Sequence, residues 1–237
     1  GPGKKRPLLF ILHGGGGDVE RMMAGYGQRL VELAHADGAI AVVPEAITRH
    51  WNDGREFKQS YHRGRKKDDI GFFRRLLTEL KAKYRIDPNR IYFTGVSNGG
   101  IMTFRIALEM EADVAAIAAI VANLPDRIYE TYHSDKPAAG CPSVLMMNGT
   151  DDQWVPWKGG YVRAFGRSTY GTVVSTPKTY AFWKGRTGCV PPSSKVSIPD
   201  RVEDDGVTAE KKSCRTADGN KEVVLFTLKG AGHTVAT

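Results

Sequence analysis

The chain is predicted to be an α/β protein with a mostly parallel central sheet flanked by helices, on three observations. Short apolar runs that stop at Gly or Pro recur along it, stretches of helical periodicity lie between them, and its 237 residues suit one such domain. Strands alternating with helices imply βαβ units with right-handed crossovers, which put ligand sites outside the carboxyl ends of the strands.

Taken in order, "PLLFIL" (7–12) is the first buried strand. Met22, Met23, Tyr26, Leu30, Leu33 and Ala34 then recur at helical spacing, and "AIAVVP" (39–44) is the second strand. Ile70, Phe73, Leu76, Leu77 and Leu80 mark the next helix, followed by the strand "RIYFTG" (90–95). A third helix is expected just after "SNGG", with Ile101, Phe104 and Leu108 on one side. "SVLMMNG" (143–149) and "EVVLFTLKG" (222–230) complete the set of strands. No repeat, low-complexity segment or linker interrupts the pattern, so 1–237 reads as one domain, with "GPG" (1–3) as the remnant of a cleaved tag.

Hydrophobic residues at 41% and charged residues at 25% match a soluble globular chain, and no apolar run approaches the roughly 18–20 residues of a membrane span. The formal charge of +8 is densest at 3–6 and 62–67. Elsewhere the basic residues are scattered among 26 acids with no interleaved aromatic residues, so nucleic acid is not expected as a partner.

The chemistry begins at Gly95-Val96-Ser97-Asn98-Gly99, a G-x-S-x-G pattern between a predicted strand and a predicted helix. Glycines two residues either side of Ser97 let strand and helix approach around a strained turn that lifts the hydroxyl into a site at the helix N-terminus. The five residues alone also suit an ordinary strand–helix turn, so the rest of the chain must supply a base and an acid, in the order Ser, acid, His. Of six histidines, only His233, in "GAGHT" after the last strand, follows a credible acid downstream of Ser97. Asp151 and Asp152, after "SVLMMNG", are both chemically suitable acids. "LHGGGGD" (12–18) offers a loop through which backbone N–H groups can approach a developing oxyanion, and it lacks the endings of a phosphate or dinucleotide loop.

With these residues in view, the chain resembles the α/β-hydrolase esterases grouped with polyhydroxybutyrate depolymerases and feruloyl esterases. The resemblance runs through "LHGGGGD", "VVPEA" with "WNDGR" (51–55), "DDIGFFRRLLTEL" (68–80), "IDPNRIYFTGVSNGG" (86–100), "NGTDDQWVPWKGG" (148–160) and "GAGHT" (230–234). In that family the acid stands three residues after the glycine of G-T-x-D-x-x-V-P, which selects Asp152 over Asp151. Relative to the family pattern, the chain is expected to lack an N-terminal strand pair and a terminal helix, and "HTVAT" replaces the usual "HTWPG".

The resemblance implies ester hydrolysis through an acyl-enzyme, with Ser97 as nucleophile, His233 as base, Asp152 orienting it, and the N–H groups of Asn98 and Gly15 holding the oxyanion. The implied partner is an ester substrate, polymeric and plant cell-wall esters included, and neither a metal nor an organic cofactor is expected. A serine peptidase or acyltransferase on the same triad, or a catalytically silent binding module, are the alternatives. Trp51 and Trp154 follow strands at the carboxyl edge and are expected as substrate-binding walls, the alternative for each being a buried structural tryptophan. The family often closes the polar segment between Cys189 and Cys214 with a disulfide, which would favour a secreted or periplasmic protein. Cys141 is then left as a small buried thiol.

Overall fold

The computed structural model describes residues 3–56, 67–134, 136–164, 170–200, 202 and 204–234. Its chain runs β1 (Arg6–Leu12), α1 (Val19–Ala24), α2 (Tyr26–Ala36), β2 (Ile40–Val42), α3 (Asp69–Lys83), β3 (Ile86–Val96), α4 (Asn98–Glu109), β4 (Ala116–Ile120), α5 (Asp126–Tyr132) and β5 (Ser143–Gly149). It continues through β6 (Gly160–Tyr161), β7 (Thr172–Val173), α6 (Thr176–Thr187), β8 (Val190–Ile198), β9 (Thr208–Arg215) and β10 (Glu222–Lys229). Among the described residues, eight strands form one sheet in the order β2-β1-β3-β4-β5-β10-β9-β8. The first six are parallel, and β9 and β8 close the far edge antiparallel.

Each strand predicted from its apolar run lies in this sheet, because a parallel strand covered on both faces must be apolar nearly throughout. Phe10 of β1 and Phe93 of β3 stack at 4.5 Å with an interplanar angle of 9°, and Phe73 of α3 meets both edge-on. All three rings are essentially buried, each burial being worth about 1.5–3 kcal/mol. On α3 the predicted stripe buries Ile70, Phe73 and Leu77, and the Asp68 carboxylate caps the first turn by accepting from Gly71 N at 2.8 Å.

Several elements differ from expectation. The helix predicted across Met22 to Ala34 breaks at Gly25 into α1 and α2, which approach so closely that a Cβ on Gly27 would stand 2.7 Å from Met22 O. β4, α5 and α6 join the predicted set. The segment between Cys189 and Cys214, expected as a polar excursion, is instead the β8–β9 ribbon. Its Pro191 lies on the outermost strand, where a missing N–H costs no ladder bond. Cys189 and Cys214 form a disulfide at the base of that ribbon, with Cα atoms 5.7 Å apart, and Cys141 is a buried free thiol. Of the basic run at 62–67 only Lys67 lies among the described residues.

Candidate active site

The site gathers at the carboxyl ends of β1, β3, β5 and β10. At the end of β3 the backbone turns through Ser97 at φ 55°, ψ −121°, a conformation rarely tolerated by a residue with a Cβ, and α4 starts at the next residue. Ser97 N donates to Ile120 O of β4 at 2.9 Å, which ties the turn to the sheet. The flanking glycines are required by space: a Cβ on Gly95 would lie 2.5 Å from the Gly99 carbonyl, and one on Gly99 would lie 2.5 Å from His13 O. Strand, helix and the loop after β1 are therefore in backbone contact around the serine.

That loop carries the glycine run. Gly16 N donates to Arg49 O and Gly17 N to Gly14 O, and among the described residues none accepts from the amides of Gly15 or Asn98. A side chain on Gly15 would meet His50 at 3.1 Å and the Asn98 Cβ at 3.4 Å, so the two amide-bearing residues adjoin beside Ser97. His13 holds the base of the loop. Its Nδ1 donates to Gly14 O at 2.7 Å and its Nε2 accepts from Ala46 N at 3.1 Å, which fixes one neutral tautomer. Burial pushes its pKa below the ordinary histidine value. His50, at the rim of the same loop, is also lowered chiefly by burial.

On the other side, β5 ends at Gly149, where a Cβ would collide with the Ala231 carbonyl, so the loops after β5 and β10 are in close contact. They carry Asp152 and His233, whose Oδ2 and Nδ1 are 2.7 Å apart with side chains 2% and 13% exposed. The other Asp152 oxygen accepts from Trp154 N and Val155 N, both at 2.8 Å. Asp151 faces solvent and takes a 2.8 Å bond from Thr150 Oγ1. Of the two adjacent acids, Asp152 therefore meets the imidazole. Among the described residues no hydrogen bond joins Ser97 Oγ to His233. Trp154 links the two halves, lining the pocket that contains Ser97 while stacking on His233 at 5.0 Å and 26°.

Two hollows meet at Trp154. A small one of about 40 Å³ holds Ser97 and is walled by Val155, Val162, Ala164 and Tyr170, with Arg55 and Arg163 at its margins. A larger cleft of about 650 Å³ runs from Asp152 along Trp154, Tyr161 and Arg163. Trp154, expected as one wall, is 43% exposed. Trp51, expected as the second wall, is 1% exposed: its ring packs on Phe73 and His13, and its Nε1 donates to His13 O at 3.0 Å. It supports the glycine loop from beneath and offers no face to the cleft.

Sequence reasoning also passed over Asp53 and Arg55. They form an ion pair of 2.7 Å with side chains 0% and 5% exposed, and the only signal for them was the "WNDGR" stretch itself. Among the described residues no cluster of His, Cys, Asp and Glu is grouped to hold a metal ion, and no helix is long and apolar enough to cross a membrane.

The sheet order and the strand–serine–helix turn are those of the α/β-hydrolase fold. Residues 28–139 match the prolyl oligopeptidase family. By sequence the chain is similar to NocK of Nocardia uniformis subsp. tsuyamanensis, named as a candidate esterase, at 28% identity over 97% of this chain and 65% of that protein. It is also similar to feruloyl esterase B of Piromyces equi, at 26% identity over 97% of this chain and 40% of the relative. The chain thus spans about two thirds of the first relative and two fifths of the second. Among solved structures, an acetyl xylan esterase from Aspergillus awamori has the same fold with a TM-score of 0.59 at 16% identity, covering 98% of this chain and 85% of that one.

Proposed function

We propose that this chain is a serine ester hydrolase working through an acyl-enzyme, and the observation that carries the reading is the 2.7 Å contact between Asp152 and His233 on loops flanking the Ser97 turn. The esterase names of the relatives support the same chemistry. In the proposed cycle His233 Nε2 takes the Ser97 proton as the hydroxyl attacks the ester carbonyl, while Asp152 holds the proton on Nδ1. The amides of Asn98 and Gly15 receive the oxyanion. His233 then protonates the leaving alcohol and activates water for deacylation.

Short-chain acyl esters suit the small hollow beside Ser97, and hydroxycinnamate esters or polyester chains suit the larger cleft along Trp154. The disulfide supports a secreted or periplasmic location, where such bonds persist. The test is hydrolysis of p-nitrophenyl and hydroxycinnamate esters beside Ser97→Ala, which should lose on the order of 10⁶ in turnover. Near-normal turnover in that variant would end the reading, and efficient hydrolysis of long-chain triacylglycerol would end the substrate assignment. The prolyl oligopeptidase match favours a second reading, a serine peptidase on the same residues, and peptide amides cleaved at rates comparable to matched esters, with that cleavage lost in Ser97→Ala, would establish it instead.

A further inference from the structure

We infer that Asp53, acting through the Asn98 side chain, is a positioning residue that aims the Asn98 backbone N–H at the oxyanion, an inference that rests on the acyl-enzyme reading above. Asn98 follows the serine as the first residue of α4, and its N–H has no partner within the helix. The carbonyl of the same Ser97–Asn98 peptide accepts from Ile101 N at 2.8 Å, which restrains that peptide from the helix side. Holding its aim against tilting of that first turn takes a further clamp on residue 98.

The Asn98 side chain supplies one. It is 3% exposed; Oδ1 accepts from Trp51 N at 2.8 Å, and Nδ2 donates to Trp51 O at 3.0 Å and to Asp53 Oδ2 at 2.5 Å. Both amide hydrogens and the amide oxygen are thus engaged. The orientation is unambiguous, because the Trp51 N–H requires an acceptor and the Asp53 carboxylate requires a donor. The side chain docks on the Trp51 backbone like one rung of a ladder, and Asp53 fastens its far side.

Asp53 is itself immobilised. Arg55 Nε lies 3.1 and 2.9 Å from its two oxygens, Arg55 Nη2 lies 2.7 Å from Oδ2, and Arg55 N donates to Oδ1 at 3.2 Å. A buried ion pair adds little net stability over an apolar pair of similar size, so stability alone does not account for it here. Its arrangement fits the chemistry. Arg55 also lines the pocket that contains Ser97, so the pair ties the Asn98 clamp to the wall of that pocket.

The test uses Asn98→Ala, which keeps the backbone N–H and removes the clamp, and Asp53→Asn/Arg55→Gln, which removes both buried charges together. Each is compared with the parent protein and Ser97→Ala for kcat and KM on p-nitrophenyl acetate, affinity for phenylboronic acid as a tetrahedral oxyanion mimic, and melting temperature. Misplacing a group by about 1 Å costs on the order of 10²-fold, so Asn98→Ala should lose about 10–100-fold in kcat, with KM within about twofold. The double variant should lose about tenfold, and boronate affinity should fall in proportion to kcat in both. A folded variant of either kind with unchanged kcat and boronate affinity, or one that loses kcat without losing boronate affinity, overturns the inference. Turnover surviving in Ser97→Ala overturns instead the reading on which it rests.

Discussion

Replacing Asp152 by Asn changes one atom, and the structure fixes where that atom must go. Asp152 Oδ1 accepts from two backbone amides, Trp154 N and Val155 N, both at 2.8 Å. The amide oxygen of the replacement must keep that place, since an NH₂ there would face two donors. Its NH₂ is then driven to the position of Oδ2, 2.7 Å from His233 Nδ1. A donor at that point requires Nδ1 to be unprotonated and puts the imidazole proton on Nε2, where it can no longer accept from the serine. On the proposed mechanism the variant should lose on the order of 10⁴ in kcat, equivalent to about 5.5 kcal/mol of transition-state stabilisation. Asp151→Asn leaves this geometry untouched, its carboxylate being exposed, and should stay within a few-fold of the parent. Initial rates on p-nitrophenyl acetate, with melting curves to confirm folding, give the comparison. An Asp151 variant losing more activity than the Asp152 variant, or the two losing equally, would refute the tautomer argument and the role of Asp152 together.

Trp154→Ala should raise KM for a hydroxycinnamate ester more than for p-nitrophenyl acetate, because only the larger acyl group extends along the exposed ring; equal effects in steady-state assays would remove it from the substrate wall. Reducing the Cys189–Cys214 bond, which closes a 25-residue separation, should lower unfolding stability by about 3–4 kcal/mol in urea titrations with and without reductant, and unchanged midpoints would contradict this. His13 is bound as a neutral acceptor, and burial holds its pKa below the ordinary value of about 6.5. The unfolded chain therefore takes up that proton first. Its contribution to stability is complete above the unfolded value and is lost as pH falls from there through the folded pKa. The urea midpoint should drop between pH 7.5 and 5 more steeply in the parent than in His13→Gln, and parallel slopes would argue against it.

The candidate site was more legible than parts of the scaffold, and the reasons differ by element. Ser97 announces itself because a strained turn needs small neighbours, and that need is written locally in Gly95 and Gly99. The choice between Asp151 and Asp152 is not local: it depends on how the loop after β5 meets the loop after β10, and it came from the family pattern. β4, "AIAAI", is alanine-rich and borrows its burial from its neighbours, so its own hydrophobicity is a weak marker. The β8–β9 ribbon reads as loop because Pro191, Lys211 and Lys212 suit an edge better than a core. Trp51 is settled by a carbonyl 38 residues upstream and by Phe73, partners that no window around it contains.

The position of β10 bears on when the molecule can act. Of the eight strands in the sheet it is the last to be synthesised, yet it is inserted between β5 and β9 and leads into the loop holding His233. A nascent chain extended through Asp152 carries the serine turn and that carboxylate, with an apolar strand edge exposed where β10 will pair. On the proposed mechanism it has no base until that late strand docks. Contacts of such long sequence separation form slowly. On the proposed reading, the polypeptide should stay inert towards esters throughout translation and any passage across a membrane in unfolded form, with hydrolytic competence arising only at the closing step of folding.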